Sequence, residues 1–258
     1  MPRDRLLVAT YNLLHGMDPD SGRVDLDAVA TVIAGLGADV VGLQEVDRLL
    51  PRSGTVDQTA WLAERLGWHG VFVPALLGDP DERWTRVPAE DPGGPAYGLS
   101  LLAARPLTGA RRVDLPSADI RRAAYADAGR PRWDPEPRVA LEAHIDVEDV
   151  RVRVVTAHLS YLPWRGVAQL RAAAAAAVGD GGPVVLLGDF NLPRWSVELL
   201  LVPPWSHAGG GATFPSRRPV IQIDQVVVHG GPVVVGAAVG PVSTSDHRPL
   251  RATLELVV

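Results

Sequence analysis

The chain has 258 residues, and 47% of them are hydrophobic, which allows a large core and argues against a disordered polypeptide. Its formal net charge of −5 at pH 7 creates no general attraction for nucleic acid, although a local basic patch would be sufficient for binding. The absence of cysteine excludes disulfides, cysteine-ligated zinc, iron–sulfur clusters and thiol nucleophiles.

The N-terminal part of the chain predicts strands alternating with capped helices. Residues 5–12, RLLVATYN, form the first predicted strand, and residues 25–37 place apolar side chains at helical spacing before a glycine stop. DVVGLQEV predicts a second strand, residues 57–67 a second capped helix, and WHGVFVPAL and YGLSLLAARPL two more strands. Between these last two strands, residues 74–96 contain five prolines and predict a long excursion.

The C-terminal part predicts hairpins and one alanine-rich helix. RVALEAHIDV and VRVRVVTAHLSY form a hairpin, and WRGVAQLRAAAAAAVG is a helix whose alanines suit close packing against a sheet. VVLLGD is a buried strand, residues 203–219 a proline- and glycine-rich loop, IQIDQVVVHGG the start of the last hairpin, and SDHRPLRATLELVV the closing strand. The arginine-rich segment 105–137 has no regular period and is either a solvated loop or a substrate-facing loop with Trp133 as a stacking surface.

This mixture is not a simple alternation of strands and helices, and no linker divides it. We expect one domain over residues 1–258, with a monomer as the default state. Loops as long as 74–96 and 105–137 are more often functional than idle. The apolar run at the N-terminus is too short for a signal peptide, and no apolar stretch is long enough to cross a membrane, so we expect a cytoplasmic protein.

Predicted strand ends carry acidic, amide or imidazole side chains and few other functional groups. These residues are Asn12, Glu45, His158, Asp189, Asn191, Asp224, Asp246 and His247. If the ends meet at one edge of the sheets, they form a cup lined with carboxylates. Burying several acids without a counter-charge is costly, and a bound divalent cation would remove that cost. Oxygen ligands in a chain without cysteine favour Mg²⁺ or Mn²⁺ over zinc.

The motifs ATYNL, LQEVD, TAHLS, GDFNLP, IDQVVV and SDHRPL resemble, in this order, those of the endonuclease/exonuclease/phosphatase superfamily of metal-dependent phosphoesterases. The resemblance spans residues 8–252, and its most specific parts are GDFN and SDH with an upstream QE. It implies an α/β (α+β) fold, a four-layer sandwich in which two mixed β-sheets pack face to face with helices on the outside.

The resemblance implies a metal site for Mg²⁺, with Mn²⁺ as a substitute. Glu45 would be the principal ligand, with Asn12 beside it and Asp246 near the metal. A phosphodiester repels hydroxide, so the site must neutralise the phosphate before water can attack it.

The resemblance also implies roles around the phosphate. Asp189 would orient and deprotonate the attacking water, and Asn191 would hold a phosphate oxygen. His247 would stabilise the charge that develops on the phosphoryl group, with Asp224 fixing its tautomer. His158 would be a second phosphate ligand.

Weaker patterns indicate residues that contact the rest of the substrate. The candidates for this role are Arg52, Tyr97, Glu136 and Arg138, of which Glu136 and Arg138 stand where many members carry an E-x-R pair. One departure is Leu99, which replaces an amide found in many phosphatase-like members. Four further histidines are expected to be solvent-exposed or packing residues, namely His15, His69, His144 and His207.

These observations predict a Mg²⁺-dependent phosphoester hydrolase, favouring a phosphodiesterase that uses in-line water attack on a small or lipid-derived phosphoester. A nuclease acting on DNA or RNA is the alternative, made less favourable by the acidic composition. A non-catalytic phosphate-binding scaffold would be expected to lack at least one of Glu45, Asp189 and His247, and all three are present.

Overall fold

The computed structural model describes residues 5–117, 134–179, 181–242 and 244–256, and these residues form two β-sheets. The first sheet has seven strands, in the spatial order β12 (Pro232–Val239), β13 (Leu250–Leu256), β1 (Arg5–Asn12), β2 (Val40–Arg48), β5 (Ala96–Ala103), β3 (His69–Gly78) and β4 (Trp84–Arg86). The second sheet has six, in the order β10 (Ser206–His207), β11 (Asp224–His229), β9 (Val184–Asp189), β8 (Val150–His158), β7 (Val139–Val147) and β6 (Leu107–Asp114).

Each sheet contains one parallel pair of strands, which makes both sheets mixed. β1 runs parallel to β2 with Asn12 opposite Gln44, and β8 runs parallel to β9 with His158 opposite Asp189. The other pairings between named strands are antiparallel. Since parallel strands end at the same edge of a sheet, their polar C-terminal residues are brought together there.

The apolar faces of the two sheets form a shared core, and four helices in the described ranges cover their outer faces. Leu101 and Leu254 of the first sheet cluster with Leu141 and Leu187 of the second. Helices α1 (Leu26–Leu36) and α2 (Gln58–Leu66) pack on the first sheet, and α3 (Pro163–Val178) and α4 (Arg194–Leu200) on the second. The four-layer sandwich expected from the sequence is therefore confirmed.

The predicted helices begin and end at the expected residues. Asp25 and Asp57 accept hydrogen bonds from the backbone N–H groups of Ala28 and Ala60, which caps α1 and α2. Gly37 and Gly67 follow these helices in the left-handed conformation that favours glycine. In α3, the small side chains Ala173, Ala174 and Ala177 are buried, as expected for close packing on a sheet.

The prediction of a loop over residues 74–96 is wrong at both of its ends and near its middle. The predicted strand WHGVFVPAL already includes Pro74, and β3 extends two residues further, to Gly78. A register shift between Pro74 and Leu76 accommodates the proline, which cannot donate a hydrogen bond. Residues 84–86 form β4 at the sheet edge, and β5 begins at Ala96.

The prediction for residues 105–137 is also partly wrong, since residues 107–114 form β6. This edge strand is largely exposed, so its arginines meet solvent and the sequence carries no alternating apolar pattern. Residues 118–133, including Trp133, lie outside the described residues. Helix α4 was not predicted either, because it spans only seven residues and buries only Val197. No helix in the described part of the chain is long and apolar enough to cross a membrane.

Candidate active site

A cavity of about 360 Å³ opens at the edge where the parallel strands end. Ten of the twelve predicted site residues line it: Glu45, Arg52, Tyr97, Glu136, Arg138, His158, Asp189, Asn191, Asp246 and His247. The other two, Asn12 and Asp224, do not line the cavity but form hydrogen bonds to Glu45 and His247, which do. The structure thus brings all the predicted residues to one place.

Glu45 reaches the cavity through an irregularity in β2. The pairing of β2 with β5 shifts register between Leu43 and Val46, and Glu45 has a φ of 55°, an uncommon value for a residue with a side chain. Its neighbour Gln44 is fully buried and donates a hydrogen bond to Thr156 Oγ1 at 2.9 Å, which ties β2 to the opposite sheet. The fold therefore maintains a strained backbone at this carboxylate.

Asn12 connects the two carboxylates nearest to it. Its Nδ2 donates to Glu45 Oε1 at 2.9 Å and to Asp189 Oδ2 at 3.1 Å, while its Oδ1 accepts the N–H of Leu14 at 3.0 Å. The amide thus fixes Glu45 against Asp189, and its oxygen is engaged with backbone. The predicted role of Asn12 as a metal ligand would require that oxygen.

The two carboxylate oxygens of Asp189 have different partners. Oδ1 accepts the backbone N–H of Asn191 at 2.9 Å, which closes a turn in which Asn191 has a φ of 51°. Asn191 Nδ2 donates to the carbonyl of Leu159 at 2.9 Å, so one of its two hydrogens is engaged. Oδ2 of Asp189 is directed towards Asn12 and the two site histidines.

Both histidines approach Asp189 Oδ2 through Nε2, His158 at 3.5 Å and His247 at 3.6 Å. On its other ring nitrogen, His247 contacts Asp224 Oδ2 at 2.9 Å, and Asp224 is fully buried. This contact orients the imidazole with Nε2 towards the cavity. The ring of Phe214 packs on that of His247 with centroids 4.9 Å apart.

The two histidines have opposite charge preferences. Burial alone would lower the pKa of His247, but the negative charges of Asp224 and Asp189 and the Asp224 hydrogen bond raise it to about 10. The pKa of His158 is held well below its usual range by burial, with Arg138 and His247 adding to the effect. At neutral pH the site therefore contains one imidazolium and one neutral imidazole.

The environment of the site disfavours the charged forms of two carboxylates, Glu45 and Asp189. Burial raises the pKa of Glu45 to about 7 despite the hydrogen bond from Asn12, and the charge of Asp246 adds to the increase. Burial also raises the pKa of Asp189 to about 6, against the attraction of His247. A bound cation would relieve both effects.

This donor set fits a hard divalent cation. Glu45, Asp189 and Asp246 contribute carboxylate oxygens to one cavity wall, and oxygen-rich sites without thiolates suit Mg²⁺ or Mn²⁺. Asp189, Asp224 and His247 also have ligand atoms within 4.8 Å of one another. In that group, however, Asp224 and His247 are hydrogen-bonded to each other, so the carboxylates on the Glu45 side fit a cation better.

The predicted substrate-contacting residues line another part of the same cavity. Arg138 is buried and pairs with Asp134 at 3.0 Å and with Glu136 at 3.2 Å. The guanidinium of Arg52 lies 5.5 Å from the centre of the Tyr97 ring. Leu99 is buried in the core between the sheets, so the position at which many members carry an amide is apolar here.

The sequence reasoning missed His15. This residue was expected to be a solvent or packing residue, yet it lines the cavity and is buried. A short 3₁₀ turn, Leu14–Gly16, follows β1, and His15 adopts a φ of 44° within it. Burial lowers the pKa of His15, as does nearby Arg52, which favours the neutral imidazole. No sequence pattern indicates this turn geometry.

Comparisons with known proteins agree with the geometry. Residues 9–247 match the model of the Endonuclease/Exonuclease/phosphatase family. A solved structure of an endonuclease/exonuclease/phosphatase from Beutenbergia cavernae has 26% sequence identity and a TM-score of 0.75, and the match covers 98% of this chain and 72% of that one. Comparison with curated proteins gives no match.

Two more distant structures share the fold. The mannosyl-6-phosphatase Bt3783 of Bacteroides thetaiotaomicron has 18% identity and a TM-score of 0.69, with 98% of this chain and 100% of that chain covered. A humanized TDP2 from D. rerio has 15% identity and a TM-score of 0.65, with 97% and 99% covered.

The chain belongs to the endonuclease/exonuclease/phosphatase family, because the family model matches most of its length and the two sheets are arranged as in the family's solved structures. Members of this family are metal-dependent phosphoester hydrolases, and this chain is an enzyme of that class.

Proposed function

We propose that this enzyme is a Mg²⁺-dependent phosphodiesterase that hydrolyses a small or lipid-derived phosphoester. The observation that carries the proposal is the convergence of Glu45, Asp189 and His247, from three distant parts of the chain, on one cavity. Their hydrogen-bond partners, Asn12 and Asp224, are also in position.

Glu45 and Asp246 would hold the cation, with Asn12 beside them. When bound, the cation supplies positive charge that neutralises the phosphate and polarises its oxygens. Asn12 restrains Glu45 and Asp189 relative to each other, so the two carboxylates keep a fixed separation as charges change around them. Mn²⁺ would substitute for Mg²⁺ because it accepts the same oxygen ligands.

Asp189 would act as the general base. Its pKa of about 6 leaves it ionised at neutral pH and close enough to neutrality to accept a proton effectively. The turn bond from Asn191 to Oδ1 leaves Oδ2 to orient the water for in-line attack on phosphorus. Asn191 would hold a phosphate oxygen through its remaining N–H.

His247 would stabilise the charge that develops on the phosphoryl group. Asp224 fixes its tautomer and favours the imidazolium, which can donate from Nε2 to a phosphate oxygen. The neutral imidazole of His158 would be a second phosphate contact. Arg52, Tyr97, Glu136 and Arg138 would contact the alcohol portion of the substrate, since they line the same cavity.

A substrate panel tests this function. With Mg²⁺ present, we expect hydrolysis of bis-(p-nitrophenyl) phosphate and small or lipid phosphodiesters, and much slower cleavage of plasmid DNA, single-stranded oligonucleotides and an abasic duplex. Faster cleavage of DNA, with a rate that falls steeply as salt is added, would instead establish the nuclease alternative. Failure to hydrolyse any member of the panel would support the non-catalytic scaffold.

The Asp189→Asn variant shows whether turnover comes from this site. The asparagine keeps an oxygen for the Asn191 N–H but cannot accept the proton, so we expect turnover to fall about 10²-fold or more. Glu64→Gln, which neutralises an exposed acid on α2, is the matched control and should retain wild-type rates. Activity of Asp189→Asn within about threefold of wild type would contradict the general-base role.

We further propose that residues 1–258 form one domain that acts as a monomer in the cytoplasm. The continuous pairing of N-terminal β1 with C-terminal β13 supports a single domain. Size-exclusion chromatography with light scattering would measure the oligomeric state, and one cooperative melting transition is expected.

A further inference from the structure

The part of the cavity wall around Arg52 has an unusual charge arrangement. Arg52 follows β2 in a short 3₁₀ turn, Pro51–Ser53, and its guanidinium is mostly buried. Nε and Nη2 donate to the two oxygens of Asp47 at 2.9 and 2.8 Å. Nη1 donates to Asp79 at 3.1 Å and to Asp81 at 2.7 Å. Four donated hydrogen bonds leave one of the five guanidinium N–H groups.

Arg52 therefore cannot act as a phosphate clamp in this arrangement. A bidentate phosphate contact needs two adjacent N–H groups, and the edge formed by Nε and Nη2 is taken by Asp47. One positive charge also faces three negative charges, from Asp47, Asp79 and Asp81. This wall consequently repels a second phosphate.

The neighbouring groups do not restore a positive charge. His15, in the same wall, is buried beside Arg52, and the Tyr97 phenol packs against the guanidinium. Both side chains are neutral at neutral pH, since the pKa of His15 is lowered and that of Tyr97 is raised, in each case mainly by burial. The side chain of Asp81 is 81% exposed and lies at the cavity, where it offers a carboxylate to an incoming group.

We infer that the Arg52–Asp47–Asp79–Asp81 cluster is a specificity element that selects a neutral or cationic, hydrogen-bond-donating alcohol portion and rejects a second phosphate. The inference rests on the proposed phosphodiesterase function and narrows its substrate class. Hydroxyl and ammonium groups can donate to Asp81 and gain from the negative field of this wall. A polyanion such as a nucleic acid meets repulsion at the same place.

Four matched diesters test the inference, because all release p-nitrophenolate and differ only in the second alcohol. The alcohols carry a 2-(trimethylammonio)ethyl, 2-hydroxyethyl, ethyl or 2-phosphonoethyl group. At low ionic strength and saturating Mg²⁺, wild-type kcat/KM should be at least about tenfold higher for the trimethylammonio ester than for the phosphono ester. The preference should shrink as salt is added.

Variants assign the preference to the cluster. The Asp79→Asn/Asp81→Asn double variant should lower the ratio of kcat/KM for the cationic and anionic esters about tenfold or more. Asp146→Asn, which disrupts an exposed ion pair between Asp146 of β7 and Arg151 of β8 away from the cavity, is the matched control and should leave the ratio unchanged. Melting curves of both variants identify any loss of folding.

Equal or faster turnover of the phosphono ester by the wild type would overturn the inference, as would a ratio unaffected by the double variant, while leaving the phosphodiesterase function intact. If no ester is hydrolysed, the proposed phosphodiesterase function fails. The preference of the Arg52 cluster for a neutral or cationic alcohol is then tested by ligand binding. Thermal-shift titrations with 2-(trimethylammonio)ethyl phosphate, ethyl phosphate and 2-phosphonoethyl phosphate should then give the same ranking, and a reversed or flat ranking would contradict it.

Discussion

Asp189 illustrates how one residue can satisfy a structural and a chemical role together. An aspartate at the end of a strand can be a turn former or a catalytic base, and the geometry of Asp189 accommodates both. One carboxylate oxygen closes the turn with Asn191, and the other is directed towards Asn12 and the histidines. A self-bonded aspartate at a strand end is therefore no evidence against function.

Glu45 differs from Asp189, because a glutamate three residues before an arginine could simply form a surface ion pair, here with Arg48. That interpretation is wrong. Arg48 instead pairs with Asp91 at 2.6 Å, and Glu45 is turned into the cavity by the irregularity in β2. The motif LQEV identifies Glu45 as a candidate site residue. Strand alternation alone, however, does not predict the φ of 55° that turns its side chain into the cavity.

The metal-free protein should show the electrostatic cost of this carboxylate. Because burial raises the pKa of Glu45 from 4.5 to about 7, the folded protein holds this proton more tightly than the unfolded chain does. The protonated carboxyl therefore contributes stability that is fully present below pH 4.5 and is lost as the pH rises through 7. Removal of this charge by Glu45→Gln should therefore raise the unfolding free energy in EDTA at pH 8 by on the order of 1–2 kcal/mol and have little effect at pH 4.5.

Denaturant unfolding at the two pH values measures this difference. Adding Mg²⁺ should stabilise the wild type at pH 8 and stabilise Glu45→Gln much less, because the glutamine lacks the ligand charge. A Glu45→Gln variant that is less stable than wild type in EDTA at pH 8 would contradict the account.

At the scale of elements, the site depends on how closely β2 approaches the opposite sheet. Gly42 of β2 faces this interface, and a Cβ added to it would overlap the Leu187 side chain and lie 2.7 Å from Thr156 Oγ1. Two residues later, Gln44 bonds to the same threonine. The two sheets are therefore in close contact along the part of β2 that directly precedes Glu45.

Gly42→Ala should consequently destabilise the protein by about 2–4 kcal/mol and reduce turnover, because the added methyl separates the strands that carry Glu45 and Asp189.

Gly35→Ala is the matched control. Gly35 lies within α1, and a methyl group there would meet none of the described atoms beyond its own helix within 4 Å, so alanine should be neutral or stabilise the helix by up to about 1 kcal/mol. Thermal and denaturant unfolding measure the stability of each variant relative to wild type. If Gly42→Ala is as stable as Gly35→Ala, the close contact of Gly42 with Leu187 and Thr156 does not exist.

The sequence predicted the elements whose signals are local. Caps and glycine stops define α1 and α2, and the hairpin of β7 and β8 follows from alternating residues around a polar turn. It missed elements whose stability comes from neighbours. β6 is an exposed edge strand with an arginine-rich sequence, and β4 is an edge strand of only three residues.

At the scale of the whole molecule, residues from nearly the full length of the chain meet at one edge. Asn12 and His247 are more than two hundred positions apart, and β1 pairs with β13 to bring them together, while Ser245 Oγ donates to the Asn12 carbonyl at 2.7 Å. The motifs allowed these residues to be predicted as a group. The Arg52 cluster could not be predicted. Asp47 lies near the end of β2, whereas Asp79 and Asp81 follow β3, and no sequence pattern indicates that these segments meet at Arg52.

Hydrolysis by this site depends most on a divalent cation held by Glu45 and Asp246, beside the general base Asp189. The most direct test measures hydrolysis of bis-(p-nitrophenyl) phosphate after EDTA treatment and during titration back with Mg²⁺, Mn²⁺ or Ca²⁺. We predict complete loss of hydrolysis with EDTA, recovery with Mg²⁺ or Mn²⁺, and a parallel rise in melting temperature that is much smaller in Glu45→Gln. Full activity in excess EDTA would contradict the central claim.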